Sequence, residues 1–132
     1  MADDTRQAEG TGAAPPAEGL KDENLERYQM NVEEGERLLE KEYCSSAIAS
    51  FVQAAGFIGG IRSEELRRKC ETRVFCNLGI GYADIFEKAK CVECFNHAIK
   101  VAQEIGDEVA ERRAHVAKGE AYTLFSLPAD GD

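Results

Sequence analysis

Residues 75–98 decide the fold of this chain, and they read FCNLGIGYADIFEKAKCVECFNHA. Counted from Gly79, an aromatic residue lies at +3, a small one at +12, Phe at +16 and Ala at +19; these are Tyr82, Cys91, Phe95 and Ala98. A small residue lets two helices approach closely, and a large residue on the second helix fills the space beside it. The spacing therefore predicts an antiparallel pair of helices in which Phe95 packs against Gly79.

The same spacing occurs earlier in the chain. Counted from Gly35, the matching positions are Leu38, Ala47, Phe51 and Ala54. It begins a third time at Gly119, with Tyr122 at +3. The two intervals between these glycines are 44 and 40 residues. A helix-hairpin signal that recurs at such a period indicates a helical solenoid.

This pattern resembles the tetratricopeptide repeat, a unit of two antiparallel helices. The Asn77-Leu78-Gly79 opening and the Ile105-Gly106-Asp107 joint further resemble the long-repeat subclass of G-protein-signalling-modulator adaptors and rapsyn-like scaffolds. The resemblance implies an all-α, right-handed superhelical solenoid of about two and a half repeats in five helices. Two positions depart from the family pattern, since Glu34 and Lys118 stand where Leu is usual.

The helical stripes and end signals predict helices over about 23–41, 44–58, 64–85 and 87–105, and from Asp107 to about 126. Ser45 or Ser46 is expected to cap the second helix, which Gly59-Gly60 ends. Gly106 suits the left-handed residue that closes the fourth helix, and Asp107 can cap the fifth.

Residues 1–23 are rich in Ala, Gly and acids, and we expect a disordered acidic tail there. The predicted repeat domain covers 24–127, and residues 128–132 form a short C-terminal tail. With 132 residues and 43% hydrophobic content, the chain suits one domain with a core.

The formal charge is −9, which argues against nucleic acid as a partner. Since the sequence holds no apolar run of about 18 residues or more, we expect no membrane insertion. The start, Met-Ala-Asp-Asp, has no apolar segment typical of a secretory leader. Together with the odd count of five cysteines, this predicts reduced thiols and a cytoplasmic protein.

The sequence offers little support for catalysis, and we expect the protein not to be an enzyme. Its two histidines, His97 and His115, belong to no recognisable nucleophile motif, and we assign His115 a packing role. Cys91, Cys94 and His97 lie at spacings of three, with Cys70 and Cys76 on the preceding helix. Since Cys91 occupies the small-residue position that should point into the helix pair, we expect thiol packing, with no metal and no cofactor.

The resemblance implies that the first helix of each repeat lines a concave groove that binds a partner peptide. Helical spacing about the three glycines predicts its lining as Val32, Glu36, Leu39, Glu40, Arg73, Asn77, Ile80, Arg113, Val116 and Glu120. We expect Asn77 to pair with ligand backbone. Arg73 and Arg113 are expected to receive an acidic ligand residue, and Glu36 and Glu40 a basic one.

A subclass of the family clamps the C-terminal carboxylate of chaperones with five polar side chains. The matching positions here are Val32, Glu36, Asn77, Arg113 and Ala117. Asn77 fits and Arg113 is a plausible substitute, but the other three do not fit and Glu36 would repel a carboxylate. We therefore predict no tight binding of chaperone tails.

The leading hypothesis is a non-enzymatic adaptor that binds a protein or peptide partner in the groove. The alternative is an assembly subunit that docks through its last helix, which could also support a weak homodimer. This helix would leave four apolar residues partly uncovered: Tyr122, Leu124, Phe125 and Leu127. A third hypothesis is a metal or redox sensor built on the cysteines.

Overall fold

The computed structural model describes residues 21–126. The predicted tail over residues 1–20, Leu127 and the predicted C-terminal tail over 128–132 lie outside the described residues. The described part is all-helical, which confirms the predicted class. It forms five helices: α1 (Glu23–Glu40), α2 (Cys44–Ile58), α3 (Glu64–Asp84), α4 (Lys88–Ile105) and α5 (Glu108–Phe125). These bounds agree with the predicted ones to within about one residue.

Capping side chains fix the start of three helices. Asp22, Ser63 and Asp107 each accept a hydrogen bond from the backbone N–H three residues later, at 3.2, 3.2 and 3.0 Å. Each acceptor satisfies a donor that has no partner within the helix. Gly106 has φ +70° after α4, as its predicted left-handed role requires.

The predicted cap at Ser45 or Ser46 is wrong. Residue Tyr43 stands at the cap position of α2, and its carbonyl already accepts from Ala47 N at 2.9 Å. The two serines therefore lie inside the first turn, where they are exposed.

The boundary of the N-terminal tail at residue 23 also needs correction. Asp22 caps α1 with one carboxylate oxygen, and its other oxygen accepts from Arg62 N at 2.9 Å. Asn24 donates to Gly60 O at 3.1 Å. These contacts attach the start of α1 to the α2–α3 connection, so the ordered domain begins before residue 24.

The two turns that close the helix hairpins repeat each other 44 residues apart. Glu42 and Phe86 have φ values of 66° and 63°, unusual for residues other than glycine. In each turn the next backbone N–H reaches back to a carbonyl five residues earlier at 2.9 Å, Tyr43 to Leu38 and Glu87 to Tyr82. Both turns therefore reverse the chain in the same way.

The core consists of two clusters joined through α3. One surrounds Phe51 between α1, α2 and α3, and the other surrounds Phe95 between α3, α4 and α5. The rings of Phe75 and Tyr82 pack against both. None of the helices in the described range has a segment long and apolar enough to cross a bilayer.

The predicted glycine–phenylalanine contacts are confirmed in both hairpins. A methyl group added at Gly79 would lie 2.7 Å from Cε1 of Phe95, and one added at Gly35 would overlap the ring of Phe51. Both phenyl rings are completely buried. On the other side of α3, a Cβ at Gly81 would lie 2.8 Å from Ile48 of α2. Close approach on both sides places α3 at the centre of the molecule.

Candidate functional site

Helices α1, α3 and α5 share one face, and a cavity of about 270 Å³ opens on it. Since α2 and α4 pack on the other side of α3, the first helices of successive hairpins lie next to one another. The lining of this cavity is Glu36, Lys69, Thr72, Arg73, Cys76, Asn77, Ile80, Asp107, Val109, Ala110 and Arg113. We call it the central cavity.

Three polar side chains in the central cavity bind one another. Arg73 donates from Nε and Nη2 to the two carboxylate oxygens of Glu36, at 2.9 and 2.8 Å. Asn77 donates from Nδ2 to Oε2 of Glu36 at 2.9 Å. Because Glu36 lies on α1 and the other two lie on α3, this network fixes the two helices against each other across the face.

The network shifts the pKa of both ionised partners. The hydrogen bonds from Arg73 hold the pKa of Glu36 below its ordinary value; burial, the second-largest effect, opposes them, and the hydrogen bond from Asn77 adds to the lowering. The pKa of Arg73 is raised, chiefly by the same hydrogen bond. Both side chains are therefore charged at neutral pH and compensate each other.

Arg113 on α5 differs from Arg73. It lines the central cavity, and its charge contributes to the lowered pKa of Glu36. However, within residues 21–126 it makes no hydrogen bond and no ion pair. The same holds for its neighbour Arg112. The positive charge at this end of the face is thus uncompensated by direct contacts in the described part of the chain.

A second cavity of about 430 Å³ adjoins the first and shares Ile80, Val109 and Arg113 with it. Its lining is completed by Arg112, Val116, Ala117 and Glu120. Val109 and Val116 are 60% and 55% exposed, so they present apolar surface in an open cavity. We call this the valine cavity.

Seven of the ten predicted groove residues line these two cavities: Glu36, Arg73, Asn77, Ile80, Arg113, Val116 and Glu120. Glu40 is exposed at the end of α1 and lines neither cavity. Arg73 and Asn77 donate three hydrogen bonds to Glu36, whereas the helical spacing assigned all three residues to a ligand.

Val32 needs correction as a groove residue, and Leu39 lines neither cavity. The side chain of Val32 is completely buried in the core around Phe51, so it has no surface to offer a ligand. Leu39 is half-buried against the same core and lies 4.0 Å from a Cβ built on Gly81. Both therefore serve the packing of α1.

Several lining residues were not predicted from the sequence, namely Lys69, Thr72, Asp107, Val109, Ala110 and Arg112. A signal was present for two of them. Lys69 lies one turn before Arg73, and Val109 lies one turn before Arg113, so the same helical spacing extended by four residues finds both. Asp107 could not be found in this way because it precedes α5.

The five cysteines are all free thiols. Burial raises the pKa of each one, to about 11 for Cys94. Cys91 is completely buried between α3 and α4, as predicted. A raised pKa opposes formation of the reactive thiolate, so these environments favour packing over sensing.

The two histidines have different neighbours. The ring of His97 stacks edge-on against Phe75, with centroids 4.4 Å apart. The predicted packing role of His115 is wrong, because its side chain is 55% exposed and lies 3.5 Å from Glu111. Within residues 21–126, no group of three or more His, Cys, Asp and Glu side chains is placed to hold a metal ion.

Comparisons with family models and solved structures do not identify a family for this chain. No family model matches the chain, and no solved structure matches it with significance.

Proposed function

We propose that this protein is a non-enzymatic adaptor that binds a partner peptide in the groove formed by the central and valine cavities. The observation that carries the proposal is the continuity of the two cavities across α1, α3 and α5. The polar side chains of the central cavity lie next to the exposed valines of the valine cavity. Such surfaces bind short segments with one or two apolar anchors. Glu36, Arg73 and Asn77 in the central cavity are already paired with one another, which suits a preformed binding surface better than a reaction centre.

We assign the fold to the tetratricopeptide type as part of the same proposal. Two features support it, the glycine–phenylalanine contact made twice and the identical turns at Glu42 and Phe86. Both recur at the same 44-residue interval. Five free thiols support a reducing compartment, for which we propose the cytoplasm.

Affinity purification from a native extract, read by quantitative mass spectrometry, tests the adaptor proposal. Val116→Asp introduces a charge into the valine cavity at an exposed position, so it leaves the core unchanged. We expect this variant to lose the partners that the unaltered chain retains. Lys100→Glu, on the exposed surface of α4, is the control and is expected to retain them.

The assembly alternative has one observation in its favour. Phe86 is 61% exposed at the α3–α4 turn, and its ring lies 6.2 Å from that of Phe125 on the last described helix. An apolar pair at the surface is a candidate docking point for another subunit. Phe86→Asn removes the ring and tolerates the positive φ. Loss of partners by Phe86→Asn, with retention by Val116→Asp, would replace the adaptor proposal by this one.

A further inference from the structure

The chemistry of the groove restricts the kind of segment that it can hold. Taking the proposed function as its basis, we propose that the partner segment carries a carboxylate side chain that binds Arg113. One or two residues away, the same segment carries a large apolar side chain that fills the valine cavity. The partner is thus an acidic–apolar peptide, whereas the sequence predicted a peptide with both acidic and basic residues.

Because Glu36 is already paired with Arg73, Arg113 is the arginine that we expect to bind the ligand carboxylate. Glu36 already accepts three hydrogen bonds, two from the guanidinium of Arg73 and one from the amide of Asn77. Glu36 already balances the charge of Arg73, so an acidic ligand group gains less attraction there than at an unpaired arginine. The same contacts neutralise Glu36, so it offers no anchor to a basic residue. Arg113 needs no rearrangement, since no side chain in the described part of the chain pairs with it.

Charge complementarity favours an acidic segment along the whole valine cavity. Arg112 and Arg113 lie on its rim, and Glu120 is its one acidic lining residue. Lys69 adds a further cation to the wall of the central cavity, although Glu65 lies 3.8 Å from it. Asp107 also lines the central cavity, so the excess of positive charge lies in the valine cavity. A carboxylate there meets two cations and one anion, which strengthens its attraction.

The apolar part of the segment follows from the positions of the two valines. Val109 lies about one turn before Arg113 on α5, and Val116 lies about one turn after it. A rise of about 1.5 Å per residue puts each valine about 4.5–6 Å along the axis from Arg113. An extended peptide advances about 3.3 Å per residue, so one or two positions separate its acidic and apolar side chains.

Selection of random 12-residue peptides displayed against the full chain tests the inference. We expect the enriched peptides to share Asp or Glu within two positions of Leu, Ile, Phe or Met. The best peptide is then synthesised and titrated, by fluorescence polarisation, with four proteins of verified helicity. These are the unaltered chain, Arg113→Glu, Val116→Asp and the control Lys100→Glu, which changes the charge as much as Arg113→Glu does.

The inference requires Arg113→Glu to bind at least about tenfold more weakly, Val116→Asp to lose affinity as well, and Lys100→Glu to stay within about twofold. Enriched peptides that lack acids would overturn the inference. So would an Arg113→Glu protein that binds as the unaltered chain does while Val116→Asp binds more weakly. In either case the proposal that the groove binds a peptide is retained. If no peptide is enriched, or if all three variants bind equally, the proposed function fails with it.

Discussion

At the scale of single residues, two glycines set the distance between paired helices. Gly35 and Gly79 each lie against a buried phenyl ring, whereas a Cβ at Gly119 would meet no atom of residues 21–126 within 4 Å. Glycine at the same repeat position is therefore required by packing in two hairpins and not in the third. Close packing explains Gly35 and Gly79, because a protein interior has no room there for one more methyl group.

Replacing these glycines by alanine separates the two roles. Gly79→Ala gains about 1 kcal/mol of helix propensity but forces Phe95 aside, so we expect a net loss of about 1 to 2 kcal/mol in the free energy of unfolding. Gly119→Ala has only the gain and is expected to stabilise by about 0.5 to 1 kcal/mol. Urea denaturation followed by circular dichroism measures both. A Gly79→Ala protein as stable as Gly119→Ala would contradict the close approach.

Glu42 offers a second test at this scale, since its φ of 66° is strained for any residue with a Cβ. Glu42→Gly is expected to raise the free energy of unfolding by about 0.5 to 1 kcal/mol. The neighbouring Lys41 has φ −89°, so Lys41→Gly relieves nothing and is expected to destabilise. Equal effects of the two substitutions in thermal denaturation would count against the left-handed turn.

The sequence could predict the glycine contacts but not these turns. Spacing about Gly35 and Gly79 shows which side chains lie one helix apart, and size then assigns the partners. Left-handed turns are normally predicted from glycine or asparagine. Glu42 and Phe86 give no such signal, because the surrounding hairpin imposes their conformation.

At the scale of helices, α1 is attached to α3 by a buried hydrogen bond in addition to the Glu36 network. The hydroxyl of Tyr28 donates to Cys70 O at 3.0 Å, and the side chain is 2% exposed. Burial also raises the pKa of Tyr28 well above its ordinary value, so the hydroxyl keeps its proton and remains a donor. The bond thus fixes the register of the two helices that line the central cavity.

Removing the Tyr28 hydroxyl measures this attachment. Tyr28→Phe leaves the ring in place and loses the hydrogen bond, so we expect a decrease of about 1 to 2 kcal/mol in the free energy of unfolding. The matched control is Tyr43→Phe, since Tyr43 is 60% exposed and its hydroxyl has water as an alternative partner. In urea titrations the control should behave as the unaltered protein. An equally small effect at Tyr28 would mean that the bond contributes nothing.

The Glu36 network makes stability depend on acid pH. Because the pKa of Glu36 lies below its ordinary 4.5 in the folded state, its stabilising contribution is complete above that value and is lost as pH falls through the folded-state pKa. The side chain is about one-third exposed, so we expect about 1 kcal/mol or less.

Urea denaturation at pH 7 and at pH 3.5 tests the Glu36 prediction. Glu36→Gln is expected to lose less stability between the two pH values than the unaltered protein does, because its contribution no longer titrates. Glu40→Gln, which removes an exposed carboxylate one turn later, is expected to follow the unaltered protein. If Glu36→Gln showed the full pH dependence, the ion pair with Arg73 would not form in solution.

Helix bounds were predictable from capping residues and glycine ends, whereas the rotation of α1 about its axis was not. Counting from Gly35 alone put Val32 in the groove, but the burial of Tyr28 and Val32 beside Phe51 turns that side of α1 inward. Sequence spacing fixes which residues share a face, and only packing decides which way the face points.

At the scale of the whole molecule, α3 connects the two halves of the core and the three-helix face. Buried residues occur on several sides of it, and its two glycines allow α4 and α2 to approach. Because α1 and α5 both pack beside α3, the groove is a consequence of the hairpin repeat rather than of any one residue. Most groove positions were therefore predictable from the repeat.

The pairing inside the groove was not predictable, because it depends on distances between helices. The sequence shows Arg73 and Arg113 at equivalent positions, six residues before Gly79 and Gly119, and Glu36 one residue after Gly35. Only the structure shows that Glu36 and Arg73 bind each other, whereas Arg113 has no hydrogen-bond or ion-pair partner among residues 21–126. For this reason we expect a ligand with acidic residues, and not one with both acidic and basic residues.

The adaptor proposal depends above all on the shared face of α1, α3 and α5 being the surface that binds the partner. Titration of the isotope-labelled chain with the selected acidic–apolar peptide, followed by backbone amide chemical shifts, locates the bound peptide residue by residue. We expect the largest shifts on residues around Asn77, Ile80, Arg113 and Val116, with α2 and α4 little changed. Largest shifts on the outer surfaces of α2 and α4, or around Phe86 and Phe125, would contradict the proposal.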